Sequence, residues 1–341
     1  MMFAEYVRLY KARSWMKRNM PFLYCWHAYV GYELDLFEIF KSPKTIKEVA
    51  AIHSLELELL ERWVEVGVSI KYLKEVSKNR FKTSKSFMLP DSKKDPKSVG
   101  ILLKEMMELH IPALLTYPSI MKTDERQTFD HEQHGTTVAK TSSLLEQLAY
   151  PKLIQLVKKN HIQSIVDAGC GHGGYLQKLS QALPDIKLTG IEINEEVAEE
   201  AAGRCRDIPN IAITCMDVEE WRTEAPADLI MMNNLLHYIS PEKRVSVIQN
   251  LSTCLSSNGM ISIITPIRKP KHGKQFSSVF NSFFTAFDNL YALPTKKELS
   301  SIAEQSNMKL KGLKPIIREG GWYFATFVKK GDPGLVHGNN S

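Results

Sequence analysis

The stretch Ser164–Tyr175, SIVDAGCGHGGY, decides the fold. It opens with Ile165 and Val166, apolar residues typical of a buried strand, and continues to an acid, Asp167. Four glycines then fall within six residues, at Gly169, Gly171, Gly173 and Gly174. Leucines with helical spacing follow the glycines. The pattern predicts a strand, a tight glycine turn and a helix.

A turn of this kind is suited to a ligand. Glycine lets the backbone approach a bound molecule closely, and the start of the following helix directs its free N–H groups into the turn. The carboxylate of Asp167 would repel the pyrophosphate of a dinucleotide, but it would attract an ammonium group or ribose hydroxyls. S-adenosylmethionine (SAM) carries both of these. The alternative is a close strand–helix turn that binds nothing.

Strands and helices alternate from residue 160 onward, which predicts a parallel sheet with a final antiparallel pair of strands. Polar residues follow three of the strands, at the edge where open α/β sheets bind ligands: Glu192, Asp217 with Val218, and Asn233 with Asn234. The Glu192 carboxylate can accept both ribose hydroxyls. Asp217 can accept from an adenine amino group while Val218 packs on the ring.

Together these motifs resemble those of class I SAM-dependent methyltransferases, and the whole chain resembles the two-domain small-molecule O-methyltransferases. The resemblance implies an α/β fold, with a Rossmann-like seven-stranded methyltransferase domain preceded by a mostly helical, winged-helix-like domain. It implies SAM as cofactor and S-adenosylhomocysteine (SAH) as product. The implied cofactor-binding residues are Asp167, Gly169, Gly171, Gly173, Glu192, Asp217, Val218, Asn233 and Asn234.

The resemblance also implies a domain plan. Residues 1–95 are expected to form a winged-helix-like dimerisation domain that makes the protein a homodimer. Residues 96–156 are expected to form a helical connector to the substrate site, and 157–330 the SAM-binding domain. Residues 331–341 are expected to be a disordered tail.

His237 is the candidate catalytic residue, because NNLLHYISPE resembles a family segment whose histidine is the general base. A neutral imidazole with its usual pKa suits that task. Tyr238 stands where the family has an aspartate, and Leu293 and Thr326 stand near the positions of two glutamates that orient the family's histidine. Both a base and a packing or substrate-positioning histidine therefore stay open.

The acceptor has several alternatives. O-methylation of a small molecule is expected, but the glycine stretch equally resembles enzymes that methylate carbon beside a 2-oxo acid, and N-methylation is a further possibility. A basic loop, Arg268, Lys269, Lys271 and His272, could bind a carboxylate or be a solvated surface. Phenylalanines at helical spacing after it could line a pocket or fill a core: Phe276, Phe280, Phe283, Phe284 and Phe287.

Composition excludes some classes. The five scattered cysteines indicate reduced thiols and a cytoplasmic protein, and no apolar run is long enough to span a membrane. The net charge of +6 resides in the first hundred residues. A nucleic-acid methyltransferase is not expected, because no N-P-P-Y or D-P-P-Y follows the fourth strand. A non-catalytic winged-helix regulator that senses SAM is the alternative outside enzymes.

Two local expectations concern the N-terminal half. Residues 3–40 are expected to form helices interrupted at Pro21. Residues 123–135, which contain His131-Glu132-Gln133-His134, are expected to be an irregular solvated loop, because the two histidines lack the i, i+4 spacing of a helical zinc site. No metal site is expected.

Overall fold

The computed structural model describes residues 2–85, 89–95, 97–223 and 225–330. These residues form two compact units that divide between Pro112 and Ala113. The helices are α1 (Met2–Glu33), α2 (Leu36–Ile39), α3 (Ile46–His53), α4 (Leu57–Ser69), α5 (Gly100–Glu105), a π-helical turn (Met106–His110), α6 (Ile111–Leu115), α7 (Tyr117–Thr123), α8 (His131–Lys159), α9 (Gly174–Ala182), α10 (Glu195–Cys205), α11 (Arg244–Thr253), α12 (Lys274–Phe284) and α13 (Lys296–Gln305).

The strands are β1 (Leu73–Ser77), β2 (Arg80–Thr83), β3 (Ser164–Ala168), β4 (Lys187–Glu192), β5 (Ile211–Cys215), β6 (Ala227–Asn233), β7 (Leu255–Pro266), β8 (Met308–Ile317) and β9 (Trp322–Lys329). The expected tail at 331–341 lies outside the described residues, as does Pro96 at the start of the expected connector. No helix among the described residues is long and apolar enough to cross a membrane.

The first unit is mostly helical, as expected. Helix α3 begins with a capping box, in which the Thr45 hydroxyl accepts from the Glu48 N–H and the Glu48 carboxylate accepts from the Thr45 N–H. A hairpin of β1 and β2 follows α4, with Leu73 paired to Thr83.

The expected interruption at Pro21 is wrong, because α1 runs through this residue without a break. A proline removes one backbone N–H donor from a helix and crowds the preceding turn. Here the flanking turns remain helical, and the Cys25 thiol donates to the Pro21 carbonyl. The loss of one donor therefore does not divide the 32-residue helix.

The second unit confirms the predicted α/β class. Its seven-stranded sheet has the order β5-β4-β3-β6-β7-β9-β8, and β9 runs in the direction opposite to the other six strands. Strand β3 lies between β4 and β6, so the chain leaves it in one direction and later returns on its other side. This is a topological switch point, where the carboxyl ends of neighbouring strands leave a crevice for a ligand.

Two apolar layers hold the sheet. One face packs on α11 and α13, around Ile230, Ile248 and Leu299. The other face packs on α8 and α9, through Leu153 and Leu176. Apolar residues at helical spacing thus cover both faces, which explains why the central parallel strands read as nearly continuous apolar runs.

The expected irregular loop at 123–135 is partly wrong. Helix α8 begins at His131, so the histidine pair lies in its first turn. The Asp130 carboxylate caps that turn by accepting the N–H groups of Glu132 and Gln133, both at 2.9 Å. The polar composition of this turn conceals its helical structure.

Candidate active site

The glycine turn forms as predicted between β3 and α9. Gly169, Gly171 and Gly173 have φ angles of 74°, 52° and 75°, in the left-handed region that glycine tolerates best. The N–H groups of Gly169 and Cys170 donate to the Ile191 carbonyl on β4, at 2.8 and 2.9 Å. A Cβ on Gly171 would meet no described atom within 4 Å. The turn is therefore fixed on one side and open on the other.

Asp167 lies beneath this turn and is 1% exposed. Burial, reinforced by the nearby charges of Glu146 and Glu192, raises the pKa of this carboxyl well above its usual range. One hydrogen bond, donated by the Asn233 amide at 3.3 Å, acts in the opposite direction. A buried carboxyl with two acidic neighbours and only an amide donor is suited to a cationic ligand, which would compensate the charge.

Glu146 is a site residue that the sequence does not reveal. It projects from α8, its carboxylate forms an ion pair with Lys178 at 2.9 Å, and burial raises its pKa. A Cβ on Gly174 would lie only 2.6 Å from its Oε2 atom. The fourth glycine of the turn therefore makes room for this carboxylate. That glycine is the only signal in the sequence, and it does not identify its partner.

Glu192 ends β4 beside the turn. Its two oxygens accept the N–H groups of Gly171 at 3.0 Å and Asn194 at 3.1 Å. These bonds hold the carboxylate rigidly, and a carboxylate has acceptor capacity left for two hydroxyl groups.

Asp217 and Val218 follow β5, the next strand along the sheet. One Asp217 oxygen accepts the Glu219 N–H at 2.8 Å, and Val218 packs partly buried against the core. Since β3, β4 and β5 are adjacent and parallel, Asp167, Glu192 and Asp217 lie together at the carboxyl ends of these strands.

The two asparagines after β6 differ. Asn233 donates to Asp167, while its Oδ1 atom is buried without a hydrogen-bond partner among the described residues. Asn234 has a left-handed φ of 54°, and its Oδ1 accepts from the indole N–H of Trp322 at 3.1 Å. Asn233 therefore belongs to the buried carboxylate group, whereas the Asn234 side chain holds β9.

His237 is enclosed. It is 6% exposed, and its ring centroid lies 4.3 Å from both Tyr238 and Phe284. Its Nδ1 atom is buried and finds no hydrogen-bond partner in the described part of the chain. Burial, followed by the charge of Arg244, lowers its pKa to about 3. The imidazole is therefore neutral at physiological pH.

A strap, defined as residues 127–130, places a second histidine beside Tyr238, which also contacts His237. The Phe129 N–H donates to Asn289 Oδ1 at 2.8 Å, and the Asn289 amide donates back to the Phe129 carbonyl at 3.0 Å. Immediately after the strap, the His131 ring lies 5.3 Å from Tyr238, and its side chain is exposed. Burial lowers the pKa of His131, and the nearby carboxylates of Asp130 and Glu192 act in the opposite direction.

The phenylalanine-rich segment contributes to both a core and the site. Phe283, Phe284 and Phe287 are buried, whereas Phe276 is 49% exposed. In the basic loop, Arg268 is paired with Glu298 at 2.9 Å. Lys269, Lys271 and His272 are exposed.

The residues at the strand edge fit a SAM molecule. Asp167 and Glu146 would face its ammonium group, Glu192 its ribose, and Asp217 with Val218 its adenine ring. The open space at Gly171 and the unpaired Asn233 Oδ1 are the features expected of a binding crevice.

Comparison with known proteins agrees with this geometry. Residues 165–259 match the family model described as a methyltransferase domain. Human N-acetylserotonin methyltransferase in complex with SAM superposes with a TM-score of 0.75 over 95% of this chain and 98% of its own, at 16% identity. Mitomycin 7-O-methyltransferase MmcR has the same TM-score and identity, over 95% of this chain and all of its own (100%).

Residues 165–259 therefore match a methyltransferase domain, and the chain shares the fold of these two methyltransferases. Among curated sequences, a trans-aconitate 2-methyltransferase of Acidovorax sp. (strain JS42) is 27% identical over 110 residues. That match covers 32% of this chain and 41% of the relative, so the chain spans about four tenths of that relative's length.

Proposed function

We propose that this chain is a SAM-dependent methyltransferase that acts on a hydroxyl group of a small molecule. The observation that carries the proposal is the convergence of Asp167, Glu192 and Asp217 beside the glycine turn, on three adjacent parallel strands. Each carboxylate has a different environment, and these environments match the ammonium, ribose and adenine parts of one ligand. Bound SAM would supply a methyl group already activated on sulfur.

The side chains of this protein would bind SAM and orient the acceptor, and they would not need to activate the donor. Methyl transfer requires an acceptor atom in line with the methyl carbon and S–C bond, so positioning carries much of the catalysis. The aromatic wall of Tyr238, Phe284 and Phe129 supports a flat, apolar acceptor with a hydroxyl group. The pairing of Arg268 with Glu298 gives less support to a 2-oxo acid, which needs a cation for its carboxylate.

The domain plan supports the same function. Within the expected connector at 96–156, the strap, His131 and Glu146 all lie beside the candidate site. We therefore assign the part of this region that belongs to the second unit, residues 113–156, to the acceptor side of the site and residues 157–330 to SAM binding. We assign residues 1–95 to assembly of the protein.

Assembly as a homodimer is supported by α1. Large apolar side chains along its first half are mostly exposed, with Phe3 at 82%, Tyr6 at 70% and Trp15 at 68%. Such a surface on one helix is larger than a monomer usually leaves open to water. A second copy of the same helix is the occupant that would cover it symmetrically.

The direct test is SAH binding by titration calorimetry. Asp217→Asn and Glu192→Gln are each expected to weaken binding by about tenfold or more, because each removes a charged acceptor. Asp185→Asn is the matched control. This exposed aspartate precedes β4 and so lies at the amino ends of the strands, away from the proposed site. Equal affinity of all three variants and the wild type would contradict the proposed site.

A second assay tests the acceptor. Labelled SAM is incubated with the protein and with phenols, 2-oxo acids, amines or RNA, and methyl transfer is measured. Transfer to phenols supports the proposal. SAH binding without transfer to any of these would favour a SAM-sensing regulator instead.

A further inference from the structure

Two histidines lie at the aromatic wall, and their surroundings differ. Tyr238 lies between them, with ring centroids at 5.3 Å from His131 and 4.3 Å from His237. His237 is 6% exposed, whereas His131 is exposed in the first turn of α8. One imidazole is thus enclosed in the wall and the other is open to solvent.

The enclosed histidine is poorly suited to accept a proton. Within the described part of the chain no acidic side chain orients it, because its Nδ1 atom is buried without a hydrogen-bond partner. The groups that face it are Arg244, whose cation opposes a second positive charge, and His131. A general base works best when its pKa lies near the working pH, and the pKa of His237 is about 3.

The exposed histidine faces carboxylates rather than the cation of an arginine. Burial of part of its ring lowers the pKa of His131 below its usual value. The carboxylates of Asp130, from its own helix cap, and Glu192, from the end of β4, act in the opposite direction and stabilise an imidazolium. His131 thus interacts with Glu192, at the proposed ribose site, and with His237, which contacts the aromatic wall.

Resting on the methyltransferase function proposed above, we propose that His131, and not His237, takes the proton from the acceptor hydroxyl. The acceptor O–H bond breaks and its proton passes to the His131 ring. The oxygen's electron pair forms the new O–CH₃ bond, and the electrons of the broken S–CH₃ bond remain on sulfur, which leaves SAH. Solvent then removes the proton from the exposed imidazolium. His237 stays neutral and positions the acceptor.

The first test follows kcat/KM against pH, with SAM and the phenolic probes catechol and 2-naphthol, which stay protonated near neutrality. The wild type is expected to lose activity as the pH falls through the pKa of His131. His131→Gln should lower kcat by about 10²-fold or more and remove this acid limb. His237→Gln should keep the limb and change mainly KM. His134→Gln, one turn along α8, is the matched control.

Chemical rescue distinguishes a base from a structural residue. Added imidazole should restore part of the activity of His131→Ala, because the vacated position is exposed. It should not restore His237→Ala, whose site is enclosed. Persistence of the acid limb in His131→Gln and its loss in His237→Gln would overturn the assignment.

A second readout needs no turnover. Imidazole NMR of the full chain with SAH, assigned with the two glutamine variants, gives each histidine's charge between pH 5 and 9. We expect His131 to take up its proton at a higher pH than His237, which remains neutral. Titration of His237 with a neutral His131 would overturn the proposal. Failure of the wild type to bind SAH would instead overturn the methyltransferase function on which it rests.

Discussion

At the scale of single residues, the buried carboxyl of Asp167 couples ligand binding to a proton. Its pKa is raised in the free protein, so below that pKa the group is protonated. A bound ammonium group would stabilise the ionised form. We therefore expect SAH binding to release a proton, and affinity to increase with pH until Asp167 is ionised in the free protein. Calorimetry in buffers of different ionisation enthalpy measures this release.

Asp167→Asn provides the control for that linkage, because it cannot ionise. It should bind SAH more weakly and without proton release. Its stability should also differ. Because the pKa of Asp167 is higher in the folded than in the unfolded chain, the wild type loses stability as the pH rises above the pKa of the unfolded chain. The variant should therefore gain stability relative to wild type at pH 8, by about 1 kcal/mol or more, and less at pH 4. Proton release that persists in the variant would assign it to another group.

The enclosed His237 gives a prediction of opposite sign. Its folded pKa is about 3, below the unfolded value of 6.5, so the unfolded chain binds the extra proton first. Stability from this group is present above pH 6.5 and is lost as the pH falls toward 3. Between pH 8 and pH 5 the loss is about 2 kcal/mol. Urea denaturation at both pH values should show that His237→Gln reduces this loss.

His53→Gln is the matched control for His237, because His53 is exposed at the end of α3. It should leave the difference in unfolding free energy between pH 8 and pH 5 unchanged. An equal effect of both substitutions would show that the imidazole of His237 is not held neutral by the fold. His27, stacked on Trp63 at 4.3 Å with a pKa of about 4, would then account for more of the acid sensitivity.

At the scale of secondary-structure elements, the approach of α8 to the start of α9 depends on Gly174. A Cβ there would displace the Glu146 carboxylate, which is the flexible end of a side chain, and would leave the backbone in place. We expect Gly174→Ala to lower SAH affinity by about tenfold with little loss of stability. Calorimetry and thermal unfolding of the same sample measure both quantities.

Gly203→Ala in α10 is the control for this effect. Its added Cβ would meet no described atom within 4 Å, so the substitution should only replace a poor helix former. We expect a gain of about 0.5–1 kcal/mol in stability and no change in SAH affinity. Unchanged affinity in Gly174→Ala as well would remove Glu146 from the cofactor site.

The elements also show what a sequence can predict. The strand and glycine turn at Ser164–Tyr175 were predicted from the sequence, because an apolar run that ends in clustered glycines is a local signal. The start of α8 was not, because the strap before the Asp130 cap is held by bonds between Phe129 and Asn289, 160 positions apart in the chain. The same holds for the site: the glycines and strand-end acids follow local patterns, whereas Glu146 and His131 reach it by packing.

At the scale of the whole molecule, the exposed apolar surface of α1 supports the proposed homodimer. The helix is about 48 Å long at 1.5 Å per residue, which is long enough to bury a substantial area against a second copy. We expect light scattering to give the mass of a dimer for the wild type. The double variant Tyr6→Glu with Tyr10→Glu should be a monomer, because it places charges on adjacent turns of the covered face.

Arg8→Glu tests whether a change of charge alone separates the dimer, because Arg8 is an exposed polar residue on the same turns of α1. It should remain dimeric and bind SAH as the wild type does. The Tyr6 and Tyr10 double variant should also retain SAH affinity, since every residue of the proposed cofactor site lies in the second unit. A wild type that is monomeric at high concentration would contradict the assembly. Loss of SAH binding in the monomeric variant would show that association contributes to the site itself.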